Sequence, residues 1–220
     1  RAMVVARRYK RPLSLVLIEA ELPQIHAESD PTVGMSLRMA GVPEDFDALP
    51  ETEVELRPMA ADEPAYLQYT SGSTRFPRGV MVSEAAVMHN LAGILKDGLK
   101  IRDGDRCVSW LPYYHDMGLI GFVLAPLAAQ LSVDFLSTRD FAMRPRLWLS
   151  IMTRNRGTIS FAPPFGYELC TRRQRQDDKP VYDLGAWRIA GVGAEPIRTE
   201  PLKRFADLLA PSGFDRRSFV

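Results

Sequence analysis

From residue 64 onward the chain switches repeatedly between two hydrophobic periods. "AYLQYT" (65–70) alternates aromatic and apolar positions around Gln68, the pattern of a half-buried strand, and "GVMVS" (79–83) repeats it. Ser83 then predicts a helix N-cap with Glu84 in the first turn, and Val87, Leu91, Ile94 and Leu95 share one helical face. "RCVSWLP" (106–112) predicts a strand ended by Pro112. Residues 117–130, apolar on most sides, predict a buried helix, and "LSVDFLS" (131–137) a further strand. Pro145 suits the start of a helix carrying Leu147, Trp148 and Ile151. "GTISFAPP" (157–164) predicts a strand stopped by two prolines, residues 165–173 a helix, and "WRIAGVGAEP" (187–196) a strand running into a glycine turn. Thr199 is expected to cap a last helix with Leu202, Phe205, Leu208 and Leu209 on its face.

This alternation predicts an α/β fold, a mostly parallel sheet flanked by helices. Ligands of such sheets sit beyond the carboxyl ends of the strands. Three loops there are rich in small or polar residues, 70–79, 112–116 and 191–196, and all three are expected to face one crevice. The first sixty residues are less regular. The run at 13–22 reads equally as strand or helix, one short strand is expected at 53–57, and the rest reads as a loop-rich link. The organisation expected is therefore an N-terminal segment, 1–60, and an α/β region, 61–220, of one domain.

Composition narrows the function classes. Hydrophobic residues make up 46% and charged residues 25% of the 220, which fits a folded protein rather than a disordered one. A net charge of +1 gives no reason to expect nucleic acid or an anionic membrane as partner. No apolar run is long enough to span a bilayer. Cys107 and Cys170 have no metal-type spacing and read as reduced core thiols of a cytoplasmic protein. The start at Arg1 and the strand-like "RRSFV" at the end suggest a piece of a longer protein. His26 and His89 stand alone, 171–179 reads as a solvated loop, and no metal-ligand cluster or nucleophile elbow occurs.

The loops carry the chemistry. In "YTSGSTRFPRGV" the hydroxyls of Thr70, Ser71, Ser73 and Thr74 surround Gly72, and Arg78 adds a fixed positive charge before Gly79. Glycine and serine permit turns whose successive N–H groups point inward and bind anions. That makes a phosphate loop one reading and a flexible surface loop the other; it is not a Walker A loop, whose spacing is absent. In "LPYYHDMG", His115 reads either as a ligand for phosphate or carboxylate or as a bystander at a helix start capped by Asp116. In "AGVGAEPIR", small residues admit a flat ring and Glu195 can accept a hydrogen bond from an amine; an ordinary strand-to-helix turn is the alternative.

Taken in order, "YTSGSTRFPRGV", "WLPYYHDMGLIG" and "GVGAEPIR" resemble three successive motifs of the adenylate-forming superfamily of acyl-CoA synthetases, amino-acid adenylation domains and luciferases. With "ISFAPPFGYELC" and the segment ending "LKRFADLLAPSGF", the chain from 64 to 220 is similar to the large N-terminal domain of a fatty acyl-AMP ligase. Arg78 stands where most of that superfamily has lysine, and the family's Tyr-Gly-x-x-Glu motif and C-terminal lysine are not in this sequence.

The resemblance implies ATP-dependent activation of a fatty acid to acyl-AMP, with pyrophosphate released. It assigns Thr70, Ser71, Gly72, Ser73, Thr74, Arg78 and Gly79 to the phosphates of ATP, with Mg²⁺ held through the nucleotide. His115 is the implied catalytic residue. Gly193, Ala194, Glu195 and Pro196 border adenine, and Met117, Phe165 and Gly166 line the acyl tunnel. The implied partner is an acyl carrier protein of polyketide or nonribosomal peptide synthesis. An acyl-CoA synthetase, an amino-acid adenylation domain and a catalytically incomplete nucleotide-binding scaffold are the alternatives, and the 220-residue chain alone is expected to be inactive.

Overall fold

The computed structural model describes residues 3–5, 16–18, 58–70, 78–172 and 182–220. The chain divides into two compact units, residues 1–58 and 59–220. In the first, β1 (Met3–Val5) pairs antiparallel with β2 (Val16–Ile18), so the centre of the ambiguous run at 13–22 is strand. The strand expected at 53–57 lies outside the described residues.

The second unit opens with an antiparallel hairpin, β3 (Pro64–Thr70) against β4 (Arg78–Ser83), in register from Tyr66↔Val82 to Thr70↔Arg78. Ser83 Oγ accepts the Ala86 N–H and starts α1 (Glu84–Ala92), which continues as a π-helical turn, Gly93–Gly98. Leu91 is buried, and Val87, Ile94 and Leu95 are half-buried on its face, as the periodicity predicts.

The main sheet follows: β5 (Arg106–Ser109), β6 (Ser132–Phe135), β7 (Ile159–Ala162) and β8 (Ile189–Val192). All pairs are parallel and the spatial order is β6-β5-β7-β8. Phe219 makes a further parallel bridge to Ala190, so the end of the chain lies alongside β8 as its strand-like sequence suggests. The α/β expectation for this region holds.

Between β5 and β6 runs a helical stretch: α2 (Asp116–Leu119), a π turn (Ile120–Leu124) and α3 (Ala125–Ala128). The sequence predicts one buried helix there. The structure gives a π-interrupted one in which Gly118, Phe122, Ala125 and Pro126 are buried and most neighbours only half so. A short helix not expected from periodicity, α4 (Thr138–Met143), is capped by Ser137 Oγ on the Asp140 N–H. Then come α5 (Arg146–Arg154), α6 (Pro164–Arg172) and α7 (Thr199–Leu209). Thr199 is not the cap of α7: the N-cap is Arg198, without a side-chain bond. A cap at Thr199 would place Pro201, which has no N–H, among the donors a hydroxyl serves.

Alternation along β7 sorts the helices onto two faces. Ser160 meets Trp148 of α5, and Trp148 packs with Tyr167 of α6 and Phe205 of α7. Phe161 points the other way and meets Phe122 edge-on at 5.7 Å. The opposite face therefore belongs to the α2–α3 stretch, as right-handed crossovers require when the strand order reverses.

The β5–β7 pairing contains a single registered residue pair, Cys107↔Ile159. Side chains reinforce it. Buried Ser160 Oγ accepts from Trp148 Nε1 at 2.9 Å and donates to the Val108 carbonyl. At the amino ends of the strands, Thr158 Oγ1 accepts the Arg106 N–H and donates to Asp105. Asp105 also takes Nε and Nη2 of Arg188, which reaches back from just before β8. Burial alone would raise the Asp105 carboxyl; hydrogen bonds from Arg188, the Arg102 N–H and Thr158 outweigh it and hold it below the ordinary carboxylate value.

A carboxyl lowered in the folded state contributes stability above its unfolded pKa of about 4, and that contribution is lost as pH falls through the folded value. Arg188→Ala leaves Asp105 buried without its main partner. It should cost about 3 kcal/mol in urea unfolding at pH 7 and move the acid-unfolding limb to higher pH.

Candidate active site

In a sheet ordered β6-β5-β7-β8, the chain leaves β5 in one direction and returns across it to β7. The crevice beyond the carboxyl ends of β5 and β7 is therefore the topological switch point, where open α/β sheets bind ligands. The second and third loops start from this edge.

Beyond β5, Ser109 Oγ accepts the Leu111 N–H at 3.1 Å and bends the chain away from the sheet. Trp110 stacks on Phe141 with centroids 3.8 Å apart, and Thr138 Oγ1 holds its carbonyl. The next residues turn tightly, with His115 N–H donating to the Pro112 carbonyl. Gly118 is what permits this: a Cβ there would lie 2.1 Å from the Pro112 oxygen. The helix start is there, but the N-cap of α2 is His115, whose Nδ1 accepts the Met117 N–H, and not Asp116, which is the first helical residue and accepts the same N–H. Capping does not remove the histidine from the site, because the ring remains about half exposed at the mouth of the crevice, 52% by side-chain area.

The third loop closes on the second. A Cβ on Gly193 would lie 3.4 Å from Met117 Cε, so Met117 is packed against the glycine backbone. Ala194 has φ +68, a left-handed conformation that a β-carbon disfavours. It turns the chain so that Glu195 Oε1 accepts the Phe165 N–H at 2.8 Å in the first turn of α6. Glu195 thus bonds a backbone N–H of this chain. Phe165 meets Trp110 edge-on at 5.8 Å, and a Cβ on Gly166 would lie 2.6 Å from Trp110 Cζ2. Met117, Phe165, Gly166 and Gly193–Pro196 therefore belong to one edge of the sheet, with Trp110 beneath Phe165. Trp110 Nε1 is buried and has no hydrogen-bond partner among the described residues.

The hairpin approaches the same place. Burial first, and then the charge of Asp116, raise the Tyr66 phenol above its ordinary value, so β3 lies within electrostatic reach of the second loop. Ser71, Gly72, Ser73 and Thr74 lie outside the described residues. The structure places Thr70 and Arg78 opposite each other at the loop end of the hairpin, and Gly79 in β4 opposite Tyr69. A Cβ on Gly79 would lie 3.3 Å from the Tyr69 ring, so that glycine accommodates a cross-strand aromatic.

Tyr66, Trp110 and Gly118 were not singled out from the sequence. Trp110 carried a signal in its place at a strand's carboxyl end; the contacts of Tyr66 and Gly118 with distant backbone and charge had none. Among the described residues no three His, Cys, Asp or Glu side chains come together as a metal site. The Mg²⁺ implied by the resemblance therefore has no carboxylate cluster to hold it here, and no chemical step is routed through it.

An open parallel α/β sheet with loops gathered at its switch point defines a fold class whose members bind ligands at that edge. The sequence profile of AMP-binding enzymes matches residues 4–214, which takes in most of the N-terminal segment as well. The chain belongs to the AMP-binding enzyme family. It is 48% identical over 182 residues to a putative acyl-CoA synthetase of Caulobacter vibrioides, covering 83% of this chain and 31% of that protein. It is 43% identical over 161 residues to a 4-hydroxyphenylalkanoate adenylyltransferase of Mycobacterium marinum, covering 72% and 26%. Among solved structures, a fatty acyl-adenylate ligase from a study of the E. coli and L. pneumophila enzymes superposes with TM-score 0.72 at 59% identity, over 79% of this chain and 32% of that one. The chain thus spans about a third or less of the length of these relatives.

Gly118→Ala forces a Cβ against a backbone oxygen that no side-chain motion can relieve. The variant should displace the 112–116 turn, read as a shift of the His115 ring resonances, and destabilise the protein by about 2 kcal/mol or more in denaturant unfolding.

Proposed function

We propose that this chain forms the phosphate-binding and acyl-facing part of an enzyme that activates a fatty acid with ATP. A carboxylate oxygen attacks the α-phosphorus, the bond to the β-phosphate oxygen breaks, and pyrophosphate leaves with that bond's electrons. The acyl-adenylate is then passed to an acyl carrier protein. The observation that carries the reading is the convergence of His115, Met117, Phe165 and the Gly193–Pro196 turn at the β5–β7 switch point, beside the hairpin whose 71–74 loop is rich in hydroxyls.

Such a reaction needs little covalent help from the protein; positioning and neutralisation of phosphate charge do most of the work. Ser71, Ser73, Thr74 and the N–H groups around Gly72 supply donors for the departing pyrophosphate, with Arg78 and Gly79 at the loop's far end. His115 serves where carboxylate and α-phosphate meet. Gly193, Ala194 and Pro196 border adenine, while Glu195 fixes that turn to α6. Mg²⁺ accompanies the nucleotide. No helix among the described residues is long and apolar enough to cross a membrane, and we place the enzyme in the cytoplasm, where the buried free thiols Cys107 and Cys170 stay reduced. Burial raises the Cys107 thiol to about 12, so it is inert as a nucleophile.

A second reading, transfer to coenzyme A, is favoured by the similarity to a putative acyl-CoA synthetase. The same loops serve both outcomes, because the acyl-adenylate is common to them.

The test uses the full-length polypeptide that carries this sequence. Ser73→Ala combined with Thr74→Ala should lower fatty-acid-dependent ATP–pyrophosphate exchange by at least about a hundredfold while thermal unfolding is unchanged. Near-normal exchange removes the loop from the mechanism. Thioester formation measured with acyl carrier protein and with coenzyme A separates the two acceptors. The 220-residue chain alone should form no acyl-adenylate.

A further inference from the structure

Helix α6 begins without a cap of its own. A helix start leaves N–H groups unserved, and a Ser, Thr, Asp or Asn just ahead of it commonly takes one of them. Here Ala162 and Pro163 stand ahead of the helix, which opens on Pro164. The two prolines have no N–H to satisfy. The Gly166 N–H donates to the Pro163 carbonyl at 2.8 Å. That leaves the Phe165 N–H, and it donates to Glu195 Oε1 at 2.8 Å, thirty positions along the chain.

The third loop is shaped to supply this oxygen. Ala194 holds φ +68, a conformation that is unfavourable for a residue with a β-carbon and persists where its surroundings enforce it. Pro196 biases the residue before it, Glu195, toward extended backbone. A carboxylate at a helix start is also favoured by the helix dipole. The bond to Phe165 therefore offsets the strain of the turn that delivers it. A second tie, Arg198 Nη2 to Glu168 Oε2 at 3.5 Å, joins the end of the same loop to the next turn of α6.

We propose that Glu195 caps α6 from the third loop and thereby couples the two halves of the site: the 193–196 turn that borders the nucleotide, and the helix start at Phe165 and Gly166 that faces the acyl group. This rests on the adenylation reading of both. The bistable element is the turn. When docked, it has Ala194 left-handed and the bond made. When released, it has lost the bond, Ala194 relaxes, and α6 is left uncapped. A nucleotide seated on the docked turn strengthens the cap, and a capped α6 favours the docked turn, so the effect is reciprocal. Glu195 is a positioning residue that touches neither ligand.

The experiment uses the full-length polypeptide that carries this sequence, with MgATP alone, which has no acid to activate. Amide hydrogen exchange is followed in segments 163–170 and 190–197. Saturating ATP should slow exchange in both segments of the wild type and of Glu195→Gln, whose amide oxygen still accepts. In Glu195→Ala it should slow 190–197 and leave 163–170 at its nucleotide-free rate. A wild-type 163–170 segment indifferent to ATP, or one protected equally in Glu195→Ala, overturns the coupling. No protection of 190–197 in the wild type overturns the placement of the third loop at the nucleotide, and the coupling with it. The combined Ser73→Ala and Thr74→Ala variant then tells separately whether adenylation stands.

Steady-state kinetics on the same proteins gives a second readout. At saturating ATP, Glu195→Ala should raise the KM for fatty acid about fivefold, the scale of one lost hydrogen bond, and Glu195→Gln should recover most of that loss. A lower thermal midpoint with both KM values unchanged makes the cap purely structural and overturns the proposal. So does an equal loss in Glu195→Gln.

Discussion

Everything at the site hangs from the seam between β5 and β7. Backbone pairing there is sparse, yet the two strands must hold a fixed distance, because their carboxyl ends frame the crevice. Hydroxyl side chains take over the work. Ser160 ties Trp148 to the Val108 carbonyl in the middle of the seam, and Thr158 ties Arg106 to Asp105 at its base. Ser160 is buried and Thr158 partly so; loss of the buried hydroxyl would leave a donor and an acceptor stranded, at a cost of about 1–3 kcal/mol. The Arg188–Asp105 pair then draws the start of β8 to the start of β5. A parallel sheet built this way is braced at its amino end and keeps its loops at the other.

From the seam outward, close packing replaces hydrogen bonding as the means of placing residues. Glycines mark where chains approach too nearly for a side chain. Gly191 lies under the Phe161 ring, with a hypothetical Cβ 2.4 Å from it, so β8 sits flush against β7 before the third loop begins. Gly166 does the same for Trp110 and Gly118 for Pro112. Tyr167 Oη meanwhile donates to the Gly191 carbonyl at 2.8 Å and holds α6 to β8 from the other face. The second and third loops are consequently not free ends; they are set by contacts made one or two residues inside the rigid sheet.

Much of this was legible in the sequence, and the limits have physical causes. Strand and helix positions follow from period and from local caps such as Ser83, because those signals are confined to a few neighbouring residues. The short helix after Ser137 escaped because its six residues are too few to show a period, although Ser137 with Asp140 three residues on is a cap signal. The expected cap at Thr199 failed through Pro201, a purely local conflict that a stricter reading would have caught. The π-helical break at Ile120–Leu124 left no trace in an apolar run that satisfies helix and π turn alike. Of the candidate loops, the second and third do meet at the carboxyl edge of the sheet, and their small residues were visible in composition; most of the first lies outside the described residues. The roles of single residues were not visible in composition. Glu195 looked like an acceptor for a ligand amine and is bonded to the Phe165 N–H, a partner thirty positions away.

That last point bears on the charge of the crevice. The two acidic side chains that the loops bring to its rim, Asp116 and Glu195, both spend an oxygen on backbone N–H groups at helix starts. Helix starts favour negative charge, so both carboxylates are placed where they stabilise the fold. Their charge is thereby partly offset by local dipoles instead of facing the crevice unopposed. What the second and third loops then present at the crevice is the half-exposed imidazole of His115 and the backbone around Gly193. Under the function proposed above, the ligand arrives with several negative charges and leaves in two anionic parts, and preset donors need not reorganise as charge moves from one oxygen to another. The second and third loops start from a braced sheet, and the seam between β5 and β7 is what fixes the strand ends from which they spring.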